Sequence, residues 1–155
     1  MRFPGPGRRP PAIPFAAKVE KLGTTKFQSA YGGQDRSPSG RLVIYVVAAQ
    51  GDAFLPAVRD EAARSPQADY NVAYVPHSWA QLNALTIQIA RDRARWRERG
   101  IELARWGPDA ASSKVVITLR SYTAAAEREL LAGYGPDWVS VSPTSRKQRH
   151  VFMSC

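Results

Sequence analysis

Two periods of hydrophobic residues alternate along the chain and divide it into predicted strands and helices. Residues 42–49 are almost wholly apolar and rich in β-branched side chains, which is typical of a strand covered on both faces. Asp52 is placed to cap a helix over residues 53–64, in which Phe54 and Val58 fall on one face. The chain is therefore expected to mix α and β elements.

The strongest local pattern marks the longest predicted helix. Ser78-x-x-Gln81 is a capping box, and no proline or glycine follows it until Gly100. A second predicted strand, Tyr70–Val75, precedes this helix. The apolar residues of the helix recur at helical spacing and predict one buried stripe, formed by Trp79, Leu82, Leu85, Ile89 and Trp96.

The last third of the chain predicts a hairpin, a helix and a short strand. Residues 101–106 and Lys114–Leu119 are predicted strands, joined by seven residues rich in turn formers. Thr123 is placed to cap a third helix, and residues 138–141 form a last strand. The predicted order is β-α-β-α-β-β-α-β, an α+β two-layer sandwich with helices on one face of a mixed sheet.

The two ends of the chain lack this periodicity. Residues 1–40 hold clusters of proline and glycine among scattered charges, and residues 142–155 are polar and basic. We expect a disordered leader over 1–40, a single domain over 41–141 and a flexible tail over 142–155. Residues 8–14 have the R-x-x-P-x-x-P form of a polyproline ligand, but this pattern is common in proline-rich segments, so the leader interpretation is preferred.

The net charge of +9 is concentrated in these ends. Residues 1–40 carry +5 and residues 141–155 carry +3, which leaves +1 for the centre of the chain. Five arginines alternate with other residues over 91–99, and because a helix turns by about 100° per residue they are spread around it. A nucleic-acid-binding helix would gather its cations on one face, so this helix is not predicted to bind nucleic acid. Nucleic-acid binding through the basic tails is kept as the alternative function.

No constellation of residues predicts catalysis. His77 precedes the helix cap and His150 lies in the tail, and neither belongs to a recognised triad, zinc or phosphate motif. The single cysteine, Cys155, excludes a disulfide within one chain and a cysteine-based metal site. We expect a protein without enzymatic activity, cofactor or metal. A small enzyme with a polar cleft around His77 is the remaining alternative.

The hydropathy of the chain predicts its compartment. Residues 1–26 contain no continuous apolar segment of the ~7–15 residues that a secretory signal requires. No stretch approaches the ~20 apolar residues of a membrane-spanning helix. A cytoplasmic protein without membrane contact is expected, while the oligomeric state stays open.

Three segments of the chain form a recognisable series. They are Tyr31-Gly32-Gly33 with residues 39–46, then residues 77–82, and Trp106-x-x-Asp109 followed by Lys114–Leu119. Together they resemble the propeptide of the alpha-lytic-type serine proteases. In that family a glycine-bearing segment leads through a turn into an apolar strand, a small polar residue opens a leucine-rich helix, and an aromatic residue and an aspartate precede a valine-rich strand. The resemblance spans roughly residues 31–141.

The resemblance implies a domain that binds protein and catalyses nothing. In the family, the propeptide inhibits and folds its own trypsin-fold protease by pairing a sheet edge with the enzyme and placing its C-terminal tail in the substrate cleft. Since no protease domain follows in this sequence, the resemblance implies a stand-alone domain with a serine protease as the candidate partner. Its contacts would be β-augmentation at the hairpin strand, together with the tail. The candidate contact residues are Lys114, Val116, Thr118, Arg120, Val141 and Ser142.

Overall fold

The computed structural model describes residues 14–66 and 68–143. Its helices are α1 (Phe15–Thr25), α2 (Gly51–Ala63), α3 (Trp79–Glu98) and α4 (Ala124–Tyr134). Its strands are β1 (Tyr31–Arg36), β2 (Leu42–Val47), β3 (Tyr70–Val75), β4 (Leu103–Asp109), β5 (Lys114–Leu119) and β6 (Val139–Ser142), and a short 3-10 turn, Ala48–Gln50, leads into α2. None of the helices in these ranges combines the length and the apolar character needed to cross a membrane.

The strands form two mixed sheets of three strands each. In the first sheet β2 lies between β1, which is antiparallel to it, and β3, which is parallel. In the second sheet β5 lies between antiparallel β4 and parallel β6. The α+β class is confirmed. The expectation of one mixed sheet is wrong, because the hairpin after α3 pairs with β6 and not with the first three strands. The buried residues Leu82, Ile89 and Trp96 of α3 pack in the core of this second sheet.

The two sheets are built by the same order of elements, helix–strand–strand–helix–strand. We call residues 15–75 the first unit and residues 79–142 the second unit. Each hairpin carries a register irregularity near the start of its first strand, between Tyr31 and Gln34 in one and between Leu103 and Arg105 in the other. The chain therefore holds two copies of one arrangement of secondary structure.

Each unit has its own hydrophobic core between a sheet and its two helices. In the first core, Phe54 and Val58 of α2 and Val19 of α1 pack on β2, and in the second core the stripe of α3 and Leu130 of α4 pack on β5. Helices therefore cover one face of each sheet, as expected for two layers. Trp79 packs against both cores and joins them.

The start of the domain differs from the sequence prediction. Both α1 and β1 lie within the predicted leader, and Val19 of α1 has no exposed surface. The apolar residues Phe15, Val19 and Leu22 fall on one face of α1, and this short pattern is flanked by prolines and glycines. The predicted leader is wrong for residues 14–40. The polyproline-like segment, residues 8–14, lies outside the described residues except for position 14. The predicted tail, residues 142–155, lies outside them except for Ser142, which ends β6, and Pro143.

Two of the three predicted helix caps are present in the structure. The capping box at Ser78 is present in both directions, with Ser78 Oγ accepting from the Gln81 N–H and the Gln81 side chain accepting from the Ser78 N–H. Thr123 caps α4 by accepting from the Ala126 N–H at 3.0 Å. The predicted cap at Asp52 is wrong, because α2 begins at Gly51, two residues before the predicted start, and Asp52 lies in its first turn.

Candidate protein-contact surface

The strand β5 is the central strand of its sheet. It pairs with β4 on one side and with β6 on the other. Its main-chain groups are therefore used within the sheet, and the expectation that Lys114–Leu119 offers an unpaired edge to a partner is wrong. The resemblance points to β5 as the contact strand but does not reveal that β6 pairs with it, because β6 follows α4 and lies far from β5 in the chain.

Among the described residues, β6 pairs with β5 alone and forms one edge of this sheet. The Val115 N–H donates to the carbonyl oxygen of Trp138 at 2.8 Å. Because alternate residues of a strand direct their main-chain groups to the same side, Ser140 and Ser142 face β5, while Val139 and Val141 face away from it. The Val139 N–H donates to the Gly135 carbonyl oxygen at 3.2 Å, which leaves the N–H and C=O of Val141 at the edge.

Four of the candidate contact residues lie on the face of the second sheet that the helices leave uncovered. Val115, Ile117 and Leu119 are buried in the core, so their neighbours in β5 point to the opposite face. Register places Ser142 beside Thr118 on this face. Lys114 and Val116 are partly exposed, whereas Thr118 is only 5% exposed. Lys114, Val116 and Ser142 are thus placed to meet a partner, and Thr118 is not.

The two other candidates contribute in different ways. The Val141 side chain packs against the second core, so Val141 offers its main chain and not its side chain. Arg120 follows β5 and is exposed, with its Nε 3.7 Å from a Glu102 carboxylate oxygen. Because β6 runs parallel to β5, Arg120 lies at the end of the sheet where the chain leaves β6.

The arginines of α3 contact different parts of the molecule. Arg95 pairs with Asp92 in its own helix, Arg97 with Glu102 before β4, and Arg99 with Glu129 of α4. The guanidinium of Arg93 lies over the ring of Trp106 at 5.8 Å. These side chains therefore diverge around the helix, as its periodicity predicts, and those that pair are partly neutralised by carboxylates.

His77 lies in the connector between the two units, and its imidazole is buried against the second unit. Its Nδ1 lies 2.8 Å from the Ser113 carbonyl oxygen, and since a carbonyl only accepts hydrogen bonds, Nδ1 carries the proton. The His77 N–H donates to Ser113 Oγ at 3.0 Å. The ring stacks on Trp138 with centroids 3.6 Å apart. Ser113 has no exposed surface and His77 is 9% exposed, so these contacts join chain segments within the fold and form no open cleft.

A hydrogen-bonded relay fixes α3 to α4. The Trp96 Nε1–H donates to Tyr134 Oη at 2.7 Å, and the Tyr134 hydroxyl donates to Asp92 Oδ2 at 2.8 Å. Burial raises the pKa of Tyr134 to about 12; Asp92 adds to the rise, while the Trp96 N–H and Arg95 oppose it. These hydrogen bonds join the two helices that pack on the second sheet, which contains β6.

Comparisons with known proteins do not assign this chain to a family. No protein-family model matches the chain, and no curated protein matches it. Within residues 14–66 and 68–143 no group of three or more histidine, cysteine, aspartate or glutamate side chains is arranged to hold a metal ion. The surface described above therefore rests on its own geometry.

Proposed function

We propose that this chain is a non-catalytic binding domain that takes a strand of a partner protein onto the edge of β6. The partner is a trypsin-fold serine protease, which the domain inhibits or helps to fold. The observation that carries the proposal is the position of Val141, whose main-chain N–H and C=O face away from the sheet on a strand without charge or proline. Unpaired main-chain groups of this kind are the template for β-augmentation.

The other edge of the second sheet is less suited to a partner strand. β4 carries a register irregularity between Leu103 and Arg105, and it contains Pro108, which has no N–H to donate. α3 also packs against β4. Both irregular strands and prolines protect natural sheet edges from pairing. Of the two edges, β6 is therefore the one that supports binding.

The surroundings of β6 supply side-chain contacts for the same partner. Lys114 and Val116 lie on the uncovered face of the sheet, and Arg120 lies at its end. Pro143, the last described residue, follows β6 directly, and residues 144–155 come after it in the sequence. The proposal assigns this segment to the substrate cleft of the protease, as in the propeptides that the sequence resembles.

Inhibition of a panel of trypsin-fold serine proteases tests the proposal. Val141→Pro removes the outward N–H and adds a ring at the edge, and it is expected to raise the inhibition constant at least about tenfold. Val141→Ala is the matched control, since it loses the same packing but keeps the N–H. Truncation after Pro143 is expected to weaken inhibition separately, because it removes the segment assigned to the cleft.

Two results would count against the proposal. If the full chain at about 10 µM, a concentration that saturates micromolar binding, leaves the activity and the refolding yield of every protease unchanged, the protease partner is wrong. If Val141→Pro and Val141→Ala weaken inhibition equally, the edge of β6 is not the contact. The cytoplasmic location expected from the sequence is part of the proposal, and fractionation of the expressing cells tests it.

The alternative function, nucleic-acid binding, is supported by one observation. Six of the basic side chains and none of the acidic ones lie in residues 1–13 and 144–155. Phosphate contacts from these segments would make affinity fall steeply with salt. Deleting both segments leaves α1 and both cores intact. The alternative would be favoured if the full chain binds DNA or RNA in a salt-sensitive way but binds no protease, and if the deletion variant loses the nucleic-acid binding.

A further inference from the structure

The first unit contains an edge strand equivalent to β6. The Leu42 N–H donates to the Asp69 carbonyl oxygen at 3.4 Å, in the place of the bond from Val115 to Trp138 in the second unit. The alternation of main-chain direction then turns the N–H and C=O groups of Tyr70, Val72 and Tyr74 away from β2. In the described part of the chain β3 pairs with β2 alone.

This edge lacks the features that keep natural edges from pairing. β3 pairs with β2 over all six of its residues without a register shift. It contains no charged residue, proline or glycine. Tyr74 is 63% exposed, the largest exposure among the large hydrophobic side chains of the described residues. A regular, uncharged edge with an exposed aromatic residue is a surface for strand pairing.

The sequence of β3 is close to a palindrome centred on Val72. Residues 70–74 read Tyr-Asn-Val-Ala-Tyr. We infer that two copies of this protein pair through β3 in an antiparallel, two-fold arrangement about Val72, which joins their first sheets into one sheet of six strands. A two-fold contact of this kind requires a self-complementary surface, and a near-palindromic strand provides one.

The exposed aromatic residue gains a partner in this arrangement. With Val72 opposite the same residue of the second copy, Tyr74 lies opposite Tyr70 of that copy, on the helix-covered face. Tyr70 already packs against Phe15, with ring centroids 5.5 Å apart. The pairing therefore extends an existing aromatic contact across the interface, and aromatic cross-strand pairs stabilise antiparallel strands.

Charges on α2 are complementary across the same two-fold axis. Glu61 of α2 lies 4.0 Å from Lys18 of α1, which fixes the flank of α2 that faces α1. Asp52 and Arg59 lie on the opposite flank by helical periodicity, towards the β3 side, and neither side chain has a hydrogen bond or ion pair within the described residues. Two antiparallel copies of α2 bring Asp52 of one towards Arg59 of the other. This complementarity favours a second copy over an unrelated strand.

Sedimentation equilibrium of the full chain tests the inference. We expect a reversible dimer with a dissociation constant on the order of micromolar, as for small interfaces. Tyr74→Lys places a charge on the edge and removes the aromatic pair, and it is expected to raise the dissociation constant at least about tenfold. Ile87→Lys is the matched control, because Ile87 is also apolar and 55% exposed but lies on α3.

A charge exchange gives a second test that does not alter the strand. Asp52→Arg and Arg59→Asp are each expected to weaken the dimer several-fold, and the double variant is expected to restore it. A monomer at all concentrations up to about 200 µM, far above the expected constant, would overturn the inference. So would a dimer that Tyr74→Lys leaves unchanged or that Ile87→Lys weakens equally. Protease inhibition through β6 is expected to survive Tyr74→Lys, so the two proposals fail independently.

Discussion

His77 lies flat on Trp138, with ring centroids 3.6 Å apart and planes 20° from parallel. His77 comes directly before the N-cap of α3, and Trp138 comes directly before β6. The contact therefore ties the junction of the two units to the start of the proposed binding strand. The hydrogen bonds of this buried histidine go to Ser113.

Replacing this histidine is expected to destabilise the whole domain. His77→Ala loses the ring stack and leaves the Ser113 carbonyl oxygen without its partner, and we expect a decrease of about 2 to 3 kcal/mol in the free energy of unfolding. His77→Asn retains a donor near the same position and is expected to lose less. Urea unfolding measures both, with the exposed Ile87→Ala as control. A loss below about 0.5 kcal/mol, the range of neutral surface changes, would show that the stack does not hold the junction.

Substitutions at three glycines distinguish the cost of backbone strain from the cost of steric contact. Gly33 has a φ of +102°, and a Cβ there would lie 2.7 Å from Ala110 Cβ and from Trp79 Cε3. Gly40 has a φ of +83° but nothing within 4 Å, and Gly107 has nothing within 4 Å and no positive φ. We expect Gly107→Ala to be neutral, Gly40→Ala to cost about 1 kcal/mol and Gly33→Ala about 3 kcal/mol. Equal losses at Gly33 and Gly40, measured by thermal unfolding, would mean that the units are not packed closely at Gly33.

Alkaline pH is expected to weaken the folded state through buried tyrosines. Burial raises the pKa of Tyr134 from 10.0 to about 12, and burial with the nearby charge of Glu20 also raises the pKa of Tyr31. A group whose pKa is higher in the folded state stabilises it fully below pH 10.0, and this contribution is lost as the pH rises through about 12.

Ultraviolet titration of the tyrosinate band checks this dependence. Six tyrosines are present, and Tyr31 and Tyr134 are expected to ionise at higher pH in the folded protein than in urea, as are Tyr45 and Tyr122, whose pKa values are also raised. Tyr134→Phe is expected to remove one late step and to make the fall in stability less steep. A single transition near pH 10 in the folded protein, as for free tyrosine, would contradict the burial of both hydroxyls.

The elements from β2 onward follow from local patterns in the sequence. The capping box at Ser78, the cap at Thr123 and the turn-rich connector before Lys114 each act over a few residues, so a single sequence contains them. α1 and β1 were missed because their apolar residues are few and lie between proline and glycine clusters. Their stability comes from contacts with α2 and β2, which are distant in the chain.

The repeated unit and the edge strands could not be predicted from the sequence. The equivalent hairpin positions Tyr31 and Leu103 differ in chemistry, so the repetition is visible only in strand pairing. The resemblance predicts both Val141 and Thr118 as contacts, but pairing between distant strands makes Val141 an edge residue and buries Thr118. Register between strands that are far apart in the chain decides which main-chain groups stay free.

Amide hydrogen exchange at Val141 tests the central claim most directly. In a complex with a trypsin-fold protease, a partner strand on β6 gives the Val141 N–H a hydrogen-bond acceptor, and its exchange is expected to slow at least about tenfold. The outward N–H groups of β3, at Val72 and Tyr74, are expected to keep their exchange rates in the same complex at fixed protein concentration. A stable complex in which Val141 exchanges at the rate of the free protein would contradict strand addition at β6.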